Sequence, residues 1–286
     1  MTAKIDSFPA TDEHDEQLVV VARRSPWRAV GIVVVTALAA LLAYVLVTNP
    51  RFEWAVVARY FTAEAVLEGG LLTLQLTALA MIGGVVLGAV LAIMRLSDSR
   101  LLSGCAWTYI WFFRGTPLMI QLIFWFNLSA LFPGTSVNAL ITPYVAALLG
   151  LTLNEAAYMA EIVRGGLLGV DRGQTEAAQA LGIGRNRTLL GVVLPQAMRV
   201  IVPPTANQTI AMLKNTSLVS VLGVADLLHS AQVIYSRTFE TIPLLIVASL
   251  WYLVITTVLG VGQHYIERYF GRGTDVLVRA RQEVAA

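Results

Sequence analysis

The 286 residues are 57% hydrophobic and 13% charged, with mean hydropathy +0.70, whereas an average soluble domain carries roughly 25% charged residues. That balance excludes a soluble globular protein, and a net charge of +2 gives no sign of a nucleic-acid partner. The single cysteine, Cys105, excludes an internal disulfide and a cysteine metal cluster, and the only lysines, Lys4 and Lys214, lie outside any phosphate-loop pattern.

Residues 1–28 are polar, acid-rich and then basic at Arg23, Arg24 and Arg28, which reads as a cytoplasmic tail ending at a membrane anchor. Residues 29–47 form an apolar run of about 19 residues, enough for one span. The polar stretch before it is too long for a signal peptide. A mixed external loop with Trp54, Tyr60 and Phe61 follows. The second span covers 69–94, where Gly84 and Gly88 permit close helix approach. Span three occupies 105–131 and span four 139–170, separated by the turn Phe132-Pro-Gly-Thr135. A polar loop, 171–199, precedes a fifth, irregular span at 203–227. A polar helical segment then leads to the sixth span, 242–263, and a basic tail. The expected fold is therefore an all-α integral membrane protein of about six transmembrane helices. Arginines gather on one side of this layout (Arg95, Arg100, Arg172, Arg185, Arg187, Arg268), against Arg51, Arg59 and Arg237 on the other. The positive-inside rule places both termini and the loop 171–199 in the cytoplasm.

Ionisable groups at mid-bilayer cost roughly 2.5–3.5 kcal/mol each on insertion scales, so each calls for a reason. Arg114-Gly-Thr-Pro117 interrupts span three; Pro117 cannot donate a backbone hydrogen bond. The carbonyl it frees needs a partner, so the break should face protein or water. Arg114 there could hold a carboxylate in bidentate fashion or snorkel to the interface. Along residues 153–166, Asn154, Tyr158 and Glu161 share one helical stripe with Gly165. Glu161 and Arg164, three apart, suit an intrahelical ion pair. Glu155 has no local partner and is the candidate for binding a substrate ammonium, or else pairs with Lys214 or Arg114 for stability. Lys214-Asn-Thr-Ser217 breaks span five, and broken helices at membrane depth bind ions and zwitterions. Tyr158, Lys214, Thr216 and Ser217 are further substrate candidates, with a gate or subunit contact as the alternative for the break in span five. No residue set suggests catalysis or a metal.

The loop 171–199 holds a second pattern. Thr175 to Leu181 is rich in helix formers, and Gly182 or Gly184 can end that helix in a left-handed cap. Asn186 can cap a second short helix, which must stop before Pro195. The product is a helix, a glycine bend and another helix, with alanines at 177, 178 and 180 leaving a smooth surface.

Glu176-Ala177-Ala178, Gly182, Val192 and Leu194-Pro195 stand at the spacing of the "EAA" loop of ABC importer permeases. With Phe112-Phe-Arg-Gly-Thr-Pro-Leu118, residues 151–166 and Lys214-Asn-Thr-Ser-Leu-Val-Ser220, the chain resembles the polar amino acid permeases of that class (the histidine/glutamine/glutamate/arginine group) over roughly residues 65–272. The resemblance implies a type I importer fold and a division into tail 1–28, an additional N-terminal helix and loop 29–64, a transmembrane domain 65–270 with coupling loop 171–199, and a tail 271–286. It implies residence in the bacterial inner membrane. It further implies a docking surface at Glu176, Ala177, Ala178, Leu181 and Gly182 for a cytoplasmic ATPase dimer, which would use the ATP; no cofactor is expected on this chain. A second permease subunit, identical or different, and a periplasmic amino-acid-binding protein would complete the assembly. An ion-coupled secondary amino acid carrier, or a channel or scaffold subunit, would explain the buried charges without the docking loop.

Overall fold

A computed structural model describes residues 26–131 and 140–270. The turn at 132–135, most of the N-terminal tail and the C-terminal tail lie outside the described residues. Among the described residues the chain is all-helical, without strands. Five helices are long and apolar enough to cross a membrane.

The N-terminal unit is one helix, α1 (Pro26–Thr48), opened by a proline in its first turn, where the missing N–H costs nothing. Thr36 and Thr48 donate their hydroxyls to the carbonyls of Ile32 and Tyr44, four residues back.

The second unit begins with α2 (Trp54–Phe61), a short helix whose Val57 is buried with Val66, Leu227 and Val247. Its C-terminal carbonyl, Phe61 O, accepts from Trp251 Nε1 at 2.8 Å, and the two rings stack 5.0 Å apart. Next come α3 (Glu64–Arg95), α4 (Arg100–Gly115) and α5 (Leu118–Phe126). The long α6 (Pro143–Leu168) is N-capped by the Thr142 hydroxyl. α3 and α6 form the spine of the unit. They meet through small residues: a Cβ on Gly88 would lie 2.9 Å from both Ala156 O and Ala160 N.

The expected third span is two helices, not one. In a continuous helix Phe113 O would accept from the N–H of residue 117, and Pro117 has none. The chain breaks at Thr116 and Pro117, which are extended, and side chains repair the deficit. Gln121 Nε2 reaches Phe113 O at 2.9 Å, Thr116 O at 3.1 Å and Thr116 Oγ1 at 2.7 Å. Asn154 Nδ2, from α6, reaches the same Phe113 O at 3.0 Å. The freed carbonyl faces protein, as its unmet bond demands, while Gly115 and Pro117 of the break itself are exposed.

After α6, α7 (Arg172–Ala180) is capped by Asp171, whose Oδ1 accepts from Gly173 N. It is followed by α8 (Arg185–Thr188), a π turn over Leu189–Val193, and α9 (Leu194–Asn215). The fifth membrane element therefore starts near Leu194 rather than at 203, and carries Pro203 and Pro204 inside it. A 3₁₀ segment, Thr216–Leu222, ends at Gly223. Helices α10 (Leu227–Thr238) and α11 (Thr241–Phe270) complete the unit. Asp226, fully buried, caps α10 by accepting from His229 N at 2.9 Å and Leu228 N at 3.3 Å, and also accepts from the Tyr252 hydroxyl at 3.3 Å.

Candidate functional site

Helices α4 and α6 lie side by side and leave a groove of about 540 Å³ lined by Arg95, Trp107, Trp111, Arg114, Tyr158, Glu161 and Arg164, with Ile110 and Gly115. The Arg114 guanidinium stands 5.3 Å from the centre of the Tyr158 ring, within reach of its electron-rich face. Glu161 and Arg164 pair at 2.7 Å, both half-buried. Arg95 Nη1 donates to Ser103 Oγ at 2.9 Å. The groove thus holds three guanidiniums and a single carboxylate, which Arg164 already neutralises. Arg95 and Arg114 make no ion pair among the described residues, so the groove favours an anionic group.

Two sequence candidates, Arg114 and Tyr158, therefore come together here, and four do not. Glu155 is fully buried elsewhere, between α3 and α9. A Cβ on Gly84 would press on its Cγ at 2.5 Å, and Gln208 Nε2 donates to its Oε2 at 3.1 Å. Its Oε1 has no hydrogen-bond partner among the described residues. The anticipated pairing with Lys214 or Arg114 is replaced by a neutral amide, because the α6–α9 contact brings Gln208, not Lys214, to that level. Lys214 is exposed at the end of α9. Thr216 is buried and donates to Leu213 O at 2.6 Å; Ser217 donates to Lys214 O at 2.7 Å. Both hydroxyls thus serve the last turn of α9, and Thr216, fully buried, is out of a ligand's reach. Trp107 and Trp111 also line the groove, and their spacing to Arg114 (i, i+4 and i+7, one helical face) is the signal in the sequence that groups them with it. Their rings stack at 6.2 Å.

The polar loop forms an elbow of defined geometry. Gly182, with φ +72°, occupies the left-handed position after α7. Its N–H bonds to Gln179 O at 2.9 Å and the next one, Ile183 N, to Ala178 O at 3.0 Å. That is the Schellman arrangement. The second helix is capped by Gly184 rather than Asn186, which lies inside its first turn. The buried Thr188 hydroxyl closes the bend onto Ile183 O and Gly184 O, each at 3.3 Å. Glu176, Ala177 and Gly182 face outward, and Leu181 is 79% exposed. Ala178 differs: at 5% exposure it seats the elbow on its own chain. Gln196 Nε2 links the elbow to the base of α9, donating to Val192 O at 3.0 Å and to Gln174 Oε1 at 3.3 Å.

Residues 84–272 match the family model described as binding-protein-dependent transport system inner membrane component. An arginine transport system permease protein of Corynebacterium glutamicum is 43% identical over 272 residues, 92% of this chain and 86% of that protein. The 8% of this chain left over is shorter than residues 1–64, so the match runs into the N-terminal segment. An L-cystine transport system permease protein of Bacillus subtilis is 37% identical, covering 79% of this chain and 95% of its own. A glutamine transport system permease protein of Escherichia coli is 33% identical, covering 76% and 97%. Among solved structures, an amino acid ABC transporter with histidines superposes with a TM-score of 0.66 at 36% identity, over 72% of this chain and 94% of that one. A methionine ABC transporter in an inward-facing conformation shares the fold at a TM-score of 0.60 and 21% identity, over 72% and 96%. The helices are arranged as in type I ABC importer permeases, and the chain belongs to the family of binding-protein-dependent transport system inner membrane components.

Proposed function

We propose that this chain is the permease subunit of an ATP-driven importer of polar amino acids in the inner membrane, working with a separate cytoplasmic ATPase dimer, a second permease and an external binding protein. The observation that carries the coupling role is Leu181, a large apolar side chain left 79% exposed on an elbow whose glycine bend is closed by two backbone hydrogen bonds. An exposed leucine on a stiff polar turn suits insertion into a partner's pocket. Force applied there reaches α9 through the Gln174–Gln196 contact and the π turn. The substrate class follows from relatives that carry arginine, cystine or glutamine. All three share a carboxylate, the group that the unpaired Arg114 fork would hold.

The test is ATP-dependent uptake of labelled L-arginine, L-cystine and L-glutamine in proteoliposomes holding the permease, its ATPase and its binding protein. Leu181→Glu should place an uncompensated charge in the docking pocket. Gly182→Val should force a β-branched residue into a left-handed conformation that costs roughly 1–2 kcal/mol for an ordinary side chain. Both variants should insert normally and lose uptake. Uptake at the wild-type rate in both variants, or uptake without the ATPase, would overturn the assignment.

A further inference from the structure

We propose that Gln121 and Asn154 are positioning residues for the substrate groove: together they clamp the break at Pro117 so that Arg114 is held against Tyr158. The inference rests on the substrate role of Arg114 given above.

Both amides are 5% exposed. They come from different helices, α5 and α6, and converge on one acceptor of α4, Phe113 O. Satisfying that carbonyl needs only one donor. Here it receives two, and Asn154 Nδ2 also donates to Gln121 Oε1 at 3.1 Å. The two protons of Gln121 Nε2 serve three acceptors, two of them on Thr116. Thr116 Oγ1 in turn donates to Phe112 O at 2.8 Å. Phe113 O, Thr116 O and Thr116 Oγ1 are thus all tied to α5 or α6. One turn earlier on α4, the Tyr109 hydroxyl donates to Leu153 O at 2.8 Å.

The consequence is geometric. Arg114 directly follows Phe113 in the chain, and Tyr158 lies one turn beyond Asn154 on α6. Fixing Phe113 O to Asn154 therefore fixes the Arg114 main chain relative to Tyr158, and with it the point from which the guanidinium reaches the ring. Without the clamp, the last turn of α4 ends at a glycine and a proline with its Phe113 carbonyl unserved, so that turn frays and Arg114 moves with it. A preorganised group binds more tightly because less freedom is lost on binding.

The test is equilibrium binding of labelled L-arginine, L-cystine and L-glutamine to the purified permease–ATPase complex without the binding protein, using whichever binds wild type. Gln121→Leu should raise Kd about tenfold, a change worth about 1.4 kcal/mol. Arg114→Gln should raise it comparably, and the double variant no further than the larger single one, since both act on one contact. Gln121→Glu, which keeps shape and an acceptor for Asn154 but loses the donors, should also raise Kd and guards against misfolding of the leucine variant. If Arg114→Gln leaves Kd unchanged, or wild type binds none of the three, the groove is not the substrate site and the clamp falls with it. If Arg114→Gln raises Kd while the Gln121 variants match wild type, or their effects add, the positioning role alone is overturned.

Discussion

Gly88→Ala tests the spine of the transmembrane unit. A Cβ at Gly88 would sit 2.6 Å from Met159 Cβ and 2.9 Å from both Ala156 O and Ala160 N. Ordinary contact begins at 3.4 Å, so the helices must separate by 0.5 to 0.8 Å. Two of the three obstructing atoms are main chain and cannot rotate aside. Close-packed interiors resist such shifts, and overpacking of this kind costs roughly 1–3 kcal/mol. For a domain of this size that corresponds to a fall of roughly 2–12 °C in the unfolding temperature, read by thermal unfolding of the purified protein in detergent. Gly104→Ala is the control, since nothing lies within 4 Å of a Cβ there. It removes a helical glycine and should leave stability unchanged or raise it by up to ~1 kcal/mol. A Gly88→Ala protein that melts with wild type would refute the claim that α3 and α6 depend on a glycine at this crossing.

Glu155→Gln should not lower the unfolding temperature, because the carboxylate is fully buried with one oxygen unpartnered among the described residues, which costs stability; uptake should nevertheless fall about tenfold or more, since such a group persists at membrane depth where it serves transport. Unchanged uptake would remove Glu155 from the substrate path. Asp226→Ala should destabilise by roughly 2–4 kcal/mol, losing a helix cap and leaving buried donors unmet. Unfolding of the purified variant measures it, and a loss below about 0.5 kcal/mol, less than a lost cap alone costs, would show the cap to be dispensable.

What the sequence disclosed and what it withheld divide along a physical line. Local backbone chemistry was legible: the apolar runs, the break at Pro117, the glycine end of α7 and the Glu161–Arg164 pair all depend on residues within a few positions of one another. Even there, two glycines competed for the cap, and Gly182 takes it because Ile183 N then reaches Ala178 O. Long-range partners were not legible. Gln208 lies 53 residues from Glu155, and only the way α6 and α9 cross decides that it, rather than Lys214, meets the carboxylate. Gly166 against Ile201 sets that crossing, and neither residue carries a chemical label that would reveal it. The burial of Ala178 was not legible for the same reason, since helix composition does not say which alanine of a run turns inward.

The prolines show how one covalent defect acquires different mechanical meanings. Each removes a donor, and each leaves a carbonyl four residues earlier unserved. At Pro117 two buried amides fill the gap and fasten three helices at one level. At Pro195 the helix itself adjusts: over Leu189–Val193 it widens to a π turn, with Leu194 N bonding to Leu189 O five residues back. Such turns accommodate an inserted residue and gather at functional sites. Gln196 Nε2 covers the neighbouring Val192 O and, through Gln174, keeps the adjusted turn attached to the elbow. The first solution is buried and cross-braced; the second is half-exposed and depends on one long hydrogen bond to α7. Under the proposed coupling role, a load delivered at Leu181 would meet the half-exposed joint at the base of α9 before the cross-braced pair α4 and α6, the order in which an elbow could move one wall of a membrane passage without distorting the groove that Arg114 occupies.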